Sequence, residues 1–258
     1  GDTILDPFVG SGTTAIETQL LGINCAAFDV SPLCILMSKV KTESIEALDQ
    51  ILKYGHSVSP STRKLSQSAL FTEITVEDMP DEKVGNFYKM AEMIAFSDES
   101  RRHKDFSKSF HLNIEKMSKS VADFKAVKER LGLQLGRVEI KQGDARELSL
   151  QDKSVDGIIT SPPYSIALNY VANDAHALKA LGYDLNSIKE DFIGVRGTGS
   201  EKFRLYNADM SRCFKEMYRV LKPNRYCVIV IGNVTYQNEE VNTTEMTIES
   251  CKKVGFEC

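Results

Sequence analysis

The sequence predicts an α/β fold: a doubly wound, mostly parallel sheet that carries a helical insertion. Three observations predict it. Short apolar runs alternate with helix-period segments at both ends of the 258-residue chain, the rhythm of parallel strands joined by crossover helices. A polar, helix-rich stretch without comparable strands interrupts that rhythm between roughly His56 and Gly136. The composition, 42% apolar and 26% charged, is that of an ordinary globular chain long enough to bury a sizeable core.

The first element is the strand "TILDPF", followed by the glycine turn "VGSG" and the helix "TTAIETQLLG", which Gly22 closes. "NCAAFDV" is a second, buried strand. The long helix "SPLCILMSKVKTESIEALDQILKY" opens with Ser31 as cap and Pro32 at its first position. In the polar stretch, helical periodicity runs through "KVGNFYKMAEMIAF" and "LNIEKMSKSVADFKAVKERLG". Alternation resumes with the strands "RVEIKQGD" and "SVDGIIT". A loop-rich segment centred on "RGTGS" leads to the helix "NADMSRCFKEMYRVLK", stopped by Pro223-Asn224. "RYCVIVIG" reads as a continuous buried strand, "TTEMTIESCKKVG" as a helix and "FEC" as the start of another strand. The expected organisation is a core domain formed by 1–56 and 137–258, lacking edge elements at both termini, with 57–136 as a helical insertion that serves substrate recognition.

Several classes are excluded early. No run of about eighteen apolar residues occurs, so no α-helical membrane span is expected. A net charge of −4 argues against indiscriminate nucleic-acid binding, though not against a local basic groove. The six cysteines contain no C-x-x-C pair, and His56, His103, His111 and His176 are scattered. These are read as small buried thiols in a reducing, cytoplasmic compartment, with no metal site.

"LDPFVGSGTTAIE" sets Gly10 and Gly12 between a strand end and a helix start. Glycines there admit a ligand close to the backbone, and the helix start offers N–H groups. With Ala15 and the strand-end Asp29 the segment fits the dinucleotide fingerprint, whose acid binds ribose hydroxyls. A plain tight turn and a nicotinamide or flavin site fit it too. Asp6, at the strand's carboxyl end, separates the readings. A carboxylate there repels a pyrophosphate and suits an ammonium, which S-adenosylmethionine carries together with a ribose and no phosphate.

The second informative stretch is "IITSPPYSIALNY". A strand ends on Pro162-Pro163, a stiff extended shelf whose carbonyls remain acceptors. Ser161 adds a hydroxyl and Tyr164 a flat ring. Such a site holds a planar group bearing an NH₂. Acceptors on both amine hydrogens draw a base's exocyclic nitrogen towards tetrahedral geometry and aim its lone pair at a methyl sulfonium, while the ring stacks on the base. That amine is inaccessible within a duplex, so the base must be flipped out.

Taken together, these segments resemble the amino-group DNA methyltransferases that modify cytosine at N4 or adenine at N6. "LDPFVGSGTT" is similar to their cofactor motif, "TSPPY" to their catalytic motif, "FDVSP" to their ribose-binding acid and "QGDARE" to the acid near the cofactor adenine. The resemblance implies a Rossmann-like methyltransferase fold using S-adenosylmethionine. It implies that Asp6, Phe8, Gly10, Gly12 and Thr13 line the methionine side, that Asp29 holds the ribose and that Asp144 sits near the adenine amine. Ser161, Pro162, Pro163 and Tyr164 are then the catalytic residues at the target base. The S-P-P-Y form leans towards N4 of cytosine, a carboxylate in first position being commoner in the adenine enzymes. The family's helix preceding the cofactor motif is missing, and "DPFVGSGTT" is a style often seen with the two motifs in reverse order.

Two regions are candidates for contact with DNA. Arg101, Arg102, Lys104 and Lys108 lie among His103, Phe106 and Phe110, a mixture that fits phosphate contact and equally a solvated helix face over a small aromatic core. Beyond the proline pair, Asn169 and Tyr170 are expected to face the base. Arg196 and Arg204 are expected to contact substrate from a mobile glycine-flanked loop. The expected partners are DNA and a cognate restriction endonuclease. The alternatives are adenine N6 in DNA, a guanine amine in tRNA, or a non-catalytic cofactor-binding subunit of a restriction–modification complex.

Overall fold

The computed structural model describes residues 1–61, 74–163, 169–236 and 239–258. The chain starts with β1 (Thr3–Asp6), α1 (Thr13–Leu20), β2 (Asn24–Asp29) and α2 (Pro32–Tyr54). Two very short strands, β3 (Val58–Ser59) and β4 (Ile74–Thr75), pair with each other before the long helices α3 (Glu82–Arg102) and α4 (Phe106–Leu131). Strands β5 (Val138–Gln142) and β6 (Gly157–Thr160) follow, then the short helices α5 (Tyr170–Asn173), α6 (Ala175–Ala180) and α7 (Leu185–Ile188). The chain continues through α8 (Gly199–Val220), β7 (Cys227–Ile229), the hairpin of β8 (Val234–Tyr236) and β9 (Glu239–Val241), and α9 (Thr243–Val254).

The central sheet has the order β5-β2-β1-β6-β7, and every neighbouring pair is parallel. From β1 the chain winds outward through β2 to β5, then crosses to the other side of β1 for β6 and β7. The reversal lies between β1 and β6, so their carboxyl ends form the switch point at which open α/β sheets bind ligands.

Strand alternation shows that both faces of β2 are covered. On β2, Cys25 and Ala27 pack with Val9, Ile140 and Ala15 of α1. Ala26 and Phe28 point the other way, towards Leu5, Ile158 and Met210 and Phe214 of α8. A third cluster joins Leu33, Leu36, Val40 and Ile51 of α2 to Phe87 and Tyr88 of α3, Phe110 and Ile114 of α4, and Val171 and Leu178 of α5 and α6. The helices α3 and α4 therefore share a core with the helix that leaves β2.

Three local expectations are corrected. The segment around Gly199 is not a mobile loop, because α8 already starts there. Phe203 and Tyr206 continue the apolar spacing of Met210, Phe214 and Met217 into the same core. The stretch "RYCVIVIG" is not buried throughout. β7 is the sheet edge, with Cys227 and Ile229 packed inward while Tyr226, Val228 and Val230 are 85%, 50% and 54% exposed. The terminal "FEC" forms no strand, and Phe256 instead stacks edge-on against Tyr218 at 5.2 Å.

Candidate functional site

The glycine loop is shaped by backbone demands. Gly10 and Gly12 take φ values of 51° and 84°, a left-handed region that costs a side-chain-bearing residue energy. A Cβ on Gly12 would also stand 2.8 Å from Ser38 Oγ and 3.0 Å from Ser38 Cα, so the glycine lets α2 approach the start of α1. The Gly10 N–H donates to Asp29 Oδ2 at 2.9 Å, and the Ser38 hydroxyl donates to the Gly10 carbonyl at 3.1 Å. The loop is thus pinned to the end of β2 and to α2.

Above it opens a cleft at the switch point. Its walls come from Pro7, Phe8 and Gly10 after β1, Asp29, Val30, Ser31 and Cys34 after β2, Gly143, Asp144 and Ala145 after β5, and Ser161 and Pro163 after β6. Tyr170, Asp174 and residues 191–193 close the far side. The cleft encloses about 710 Å³ counting its open mouth. Four carboxylates (Asp29, Asp144, Asp174, Asp191) line it, and no Lys, Arg or His does among the described residues.

Two of these acids, Asp29 and Asp144, are held differently. Asp29 Oδ2 takes the Gly10 N–H and Oδ1 the Ser31 N–H at 2.9 Å. Burial pushes its carboxyl above the ordinary value, against those two hydrogen bonds. Asp144 is also pushed up by burial, but Arg146 outweighs that and leaves the carboxyl below the ordinary value. Arg146 Nε donates to both Asp144 oxygens at 2.9 Å and Nη2 to Oδ2 at 2.7 Å. Burial also pushes the Cys34 thiol up to about 12, so it lines the cleft as a neutral group.

Of the residues expected at the cofactor, Phe8, Gly10, Asp29 and Asp144 lie on the cleft wall. Gly12 and Thr13 shape the start of α1 without lining it. Asp6 lies beneath the wall, 3% exposed, its Oδ1 accepting the Thr160 hydroxyl at 2.6 Å and the Phe8 N–H at 3.1 Å.

On the β6 side, the Ser161 hydroxyl donates to the Val230 carbonyl at 3.2 Å, and the Tyr206 hydroxyl donates to the Pro163 carbonyl at 3.0 Å. The proline shelf is therefore tied to β7 and α8. Pro162 is buried, and Tyr164 lies outside the described residues. Tyr170 borders the cleft, whereas Asn169 caps α5 by accepting the Ala172 N–H at 3.1 Å. Arg196 does not face the cleft but pairs with the buried Asp209 of α8, which Arg146 Nη1 also reaches at 3.2 Å. Arg204 is on the outer face of α8, 4.0 Å from Glu201.

Thr160, Arg146, Asp174, Tyr206 and Asp209 were not singled out in the sequence. Thr160 and Arg146 stand next to recognised motifs, in "TSPPY" and "GDARE", and were findable. Asp174, in the turn between α5 and α6, and Tyr206 and Asp209 of α8 carry no local sign of the site, and only the packing brings them to it.

The strand order and the acid-lined cleft at its switch point define the class: a doubly wound α/β protein with a cleft between the ends of β1 and β6. The family model UPF0020, described as an RMKL-like methyltransferase domain, matches residues 1–79. The Type II methyltransferase M.BsoBI of Geobacillus stearothermophilus is 37% identical over 86 residues, 32% of this chain and 16% of that protein. The Type II methyltransferase M.MjaII of Methanocaldococcus jannaschii is 44% identical over 54 residues, 20% of this chain and 10% of that protein. The matched segments thus span less than a fifth of these relatives' length. Solved structures of an S-adenosylmethionine-dependent methyltransferase from Methanosarcina mazei (15% identity, TM-score 0.34, 92% of this chain and 54% of that one) and of the rRNA methyltransferase aviRa from Streptomyces viridochromogenes (13%, 0.39, 92% and 68%) also align. The strand order, not these low-scoring alignments, defines the fold. Over the matched segments the chain is similar in sequence to a methyltransferase family model and to two Type II methyltransferases.

Proposed function

We propose that the protein transfers a methyl group from S-adenosylmethionine to the exocyclic amine of a base flipped out of DNA, N4 of cytosine. The observation that carries this reading is the charge of the cleft: four carboxylates, no cationic side chain among the described lining residues, and the Ser161–Pro163 shelf at one end. A pyrophosphate would be repelled there, whereas a sulfonium and an ammonium are attracted. The donor set fits the cofactor in a second respect. Each Asp29 oxygen accepts one backbone N–H, and a carboxylate offers about four acceptor positions, which leaves capacity for two ribose hydroxyls.

When bound, S-adenosylmethionine supplies an electrophilic methyl group. Ser161 spends its proton on Val230, so what it presents to an amine is acceptor capacity. With the Pro162 carbonyl it holds the amine hydrogens, and Tyr164 stacks on the base. Held there, the amine nitrogen would be placed to take the methyl group as the cofactor's C–S bond broke, with the amine proton passing to solvent. Fixed acceptors and in-line placement carry most of the rate. Arg146 keeps Asp144 ionised as an acceptor on the adenine side. Asp6 acts by bracing the loop. The similarity to Type II methyltransferases supports DNA as substrate and a restriction endonuclease as counterpart.

The test is methyl transfer from labelled S-adenosylmethionine to a mixture of duplex DNA and tRNA, followed by digestion and nucleoside masses. N4-methylcytosine in the DNA fraction is expected. N6-methyladenine would reassign the base, and label in tRNA guanine would overturn DNA as substrate. Cofactor binding without transfer would mark a non-catalytic subunit.

A further inference from the structure

The cleft does not end at the proline shelf. Tyr170 and Asp174, which border it, also border a second cavity between the last turn of α3 and the short helices α5 and α6. This groove holds about 720 Å³ and opens to solvent along one side. Its other polar walls are Ser100, Arg101, Asn173 and His176.

The charges around α3 are divided unequally. Arg102 Nη1 and Lys104 Nζ both pair with Asp98, at 2.9 Å and 3.1 Å, and Phe106 and Phe110 are buried in the helical core. Arg101 instead turns into the groove, where one Nη2 hydrogen bond goes to the Asn173 carbonyl. A guanidinium has five N–H donors in a fork that matches phosphate, and Arg101 lines the groove with one of them on the Asn173 carbonyl. Burial first, and then the Arg101 charge, hold the His176 ring below its ordinary value, against the pull of Asp174. At neutral pH it is an uncharged ring with one N–H to donate. Asp174 lies on the side towards the cleft, its carboxyl raised by burial against the pull of the Arg101 charge.

A base swung into the cleft leaves its sugar and phosphates at the mouth, and phosphate contacts fix the register of the strand. We infer that this groove carries the phosphodiester backbone of the DNA strand beside the flipped base, with Arg101 as the phosphate ligand and His176 as a neighbouring hydrogen-bond donor. The inference rests on the DNA-methyltransferase reading above, and it assigns the strand's path from the cleft across α5 towards α3.

The experiment is fluorescence-anisotropy binding of a labelled duplex with a mismatched cytosine at several salt concentrations. Arg101→Ala is expected to weaken binding about tenfold at low salt and to reduce the slope of log K against log salt by roughly one phosphate contact. The KM for S-adenosylmethionine should stay unchanged. Because Arg101 also holds the Asn173 carbonyl, Ser100→Glu provides a second variant, adding a negative charge to the groove without removing a contact of Arg101. It should weaken DNA binding, and Arg101→Lys should retain most of the slope. Wild-type DNA binding with unchanged slope and affinity in Arg101→Ala and Ser100→Glu would overturn the inference alone. A wild-type protein that binds the cofactor but not DNA would overturn the DNA reading, and the groove assignment with it.

Discussion

Asp6 and Thr160 end the two strands that flank the switch point, and the Thr160 hydroxyl donates to Asp6 Oδ1 at 2.6 Å, both side chains being buried. The residues that follow them are the glycine loop on one side and the proline shelf on the other. One buried hydrogen bond thus ties the glycine loop to the residues proposed to hold the base, in addition to the pairing of β1 with β6.

Thr160→Val should therefore lose more than its size implies. It leaves a buried carboxylate short of a donor, at about 2 kcal/mol, read from the denaturation midpoint. The same variant should weaken cofactor binding although Thr160 lines no part of the cleft. An unchanged midpoint would show that Asp6 finds another donor.

Gly12→Ala should destabilise the fold by more than about 1 kcal/mol. The left-handed φ of 84° and the 2.8 Å approach to Ser38 Oγ act together, so Gly12→Ala with Ser38→Gly should recover only part of the loss. Full recovery would mean that crowding alone matters.

Arg196 and Arg204 should separate in a stability assay. Arg196 pairs with Asp209, which is 8% exposed, so Arg196→Met should cost about 2 kcal/mol, the low side for a buried pair because Arg146 still neutralises Asp209. The exposed Arg204–Glu201 pair is worth less, and Arg204→Ala should stay within about 0.5 kcal/mol.

Two carboxylates should give pH dependences of opposite sign. The Lys222 hydrogen bond first, then the Thr3 N–H, hold Asp156 below its ordinary value. Its stabilisation is present above the unfolded carboxylate value and is lost as pH falls through the folded one, so the deficit of Asp156→Asn should vanish at low pH. Burial holds Asp6 above its ordinary value, against the hydrogen bonds from Thr160, Thr14 and Phe8. The native state then binds that proton more tightly, so this group's contribution rises as pH falls through its folded value and levels off below the unfolded one. Asp6→Asn should remove that gain, which urea titrations at stepped pH would register.

The sequence alone determined whatever is encoded within one segment. Ser31 accepts the Cys34 N–H at 3.4 Å as the cap of α2. Gly10 and Gly12 take left-handed backbone, and β1, β2, β5 and β6 appear where apolar runs announce them. Backbone preference and side-chain period are local properties, so they survive in the one-dimensional record. Tertiary structure decided the partners. Asp29 binds the loop N–H of Gly10 from the next strand, and Arg196 turns from the expected substrate to Asp209. Asp174 reaches the cleft from the turn between α5 and α6, which carries no motif. The hydrophobic run of β7 ends half exposed because it became an edge. Charge pairing and burial depend on which surfaces meet, and that is fixed only when separate elements pack around a shared core.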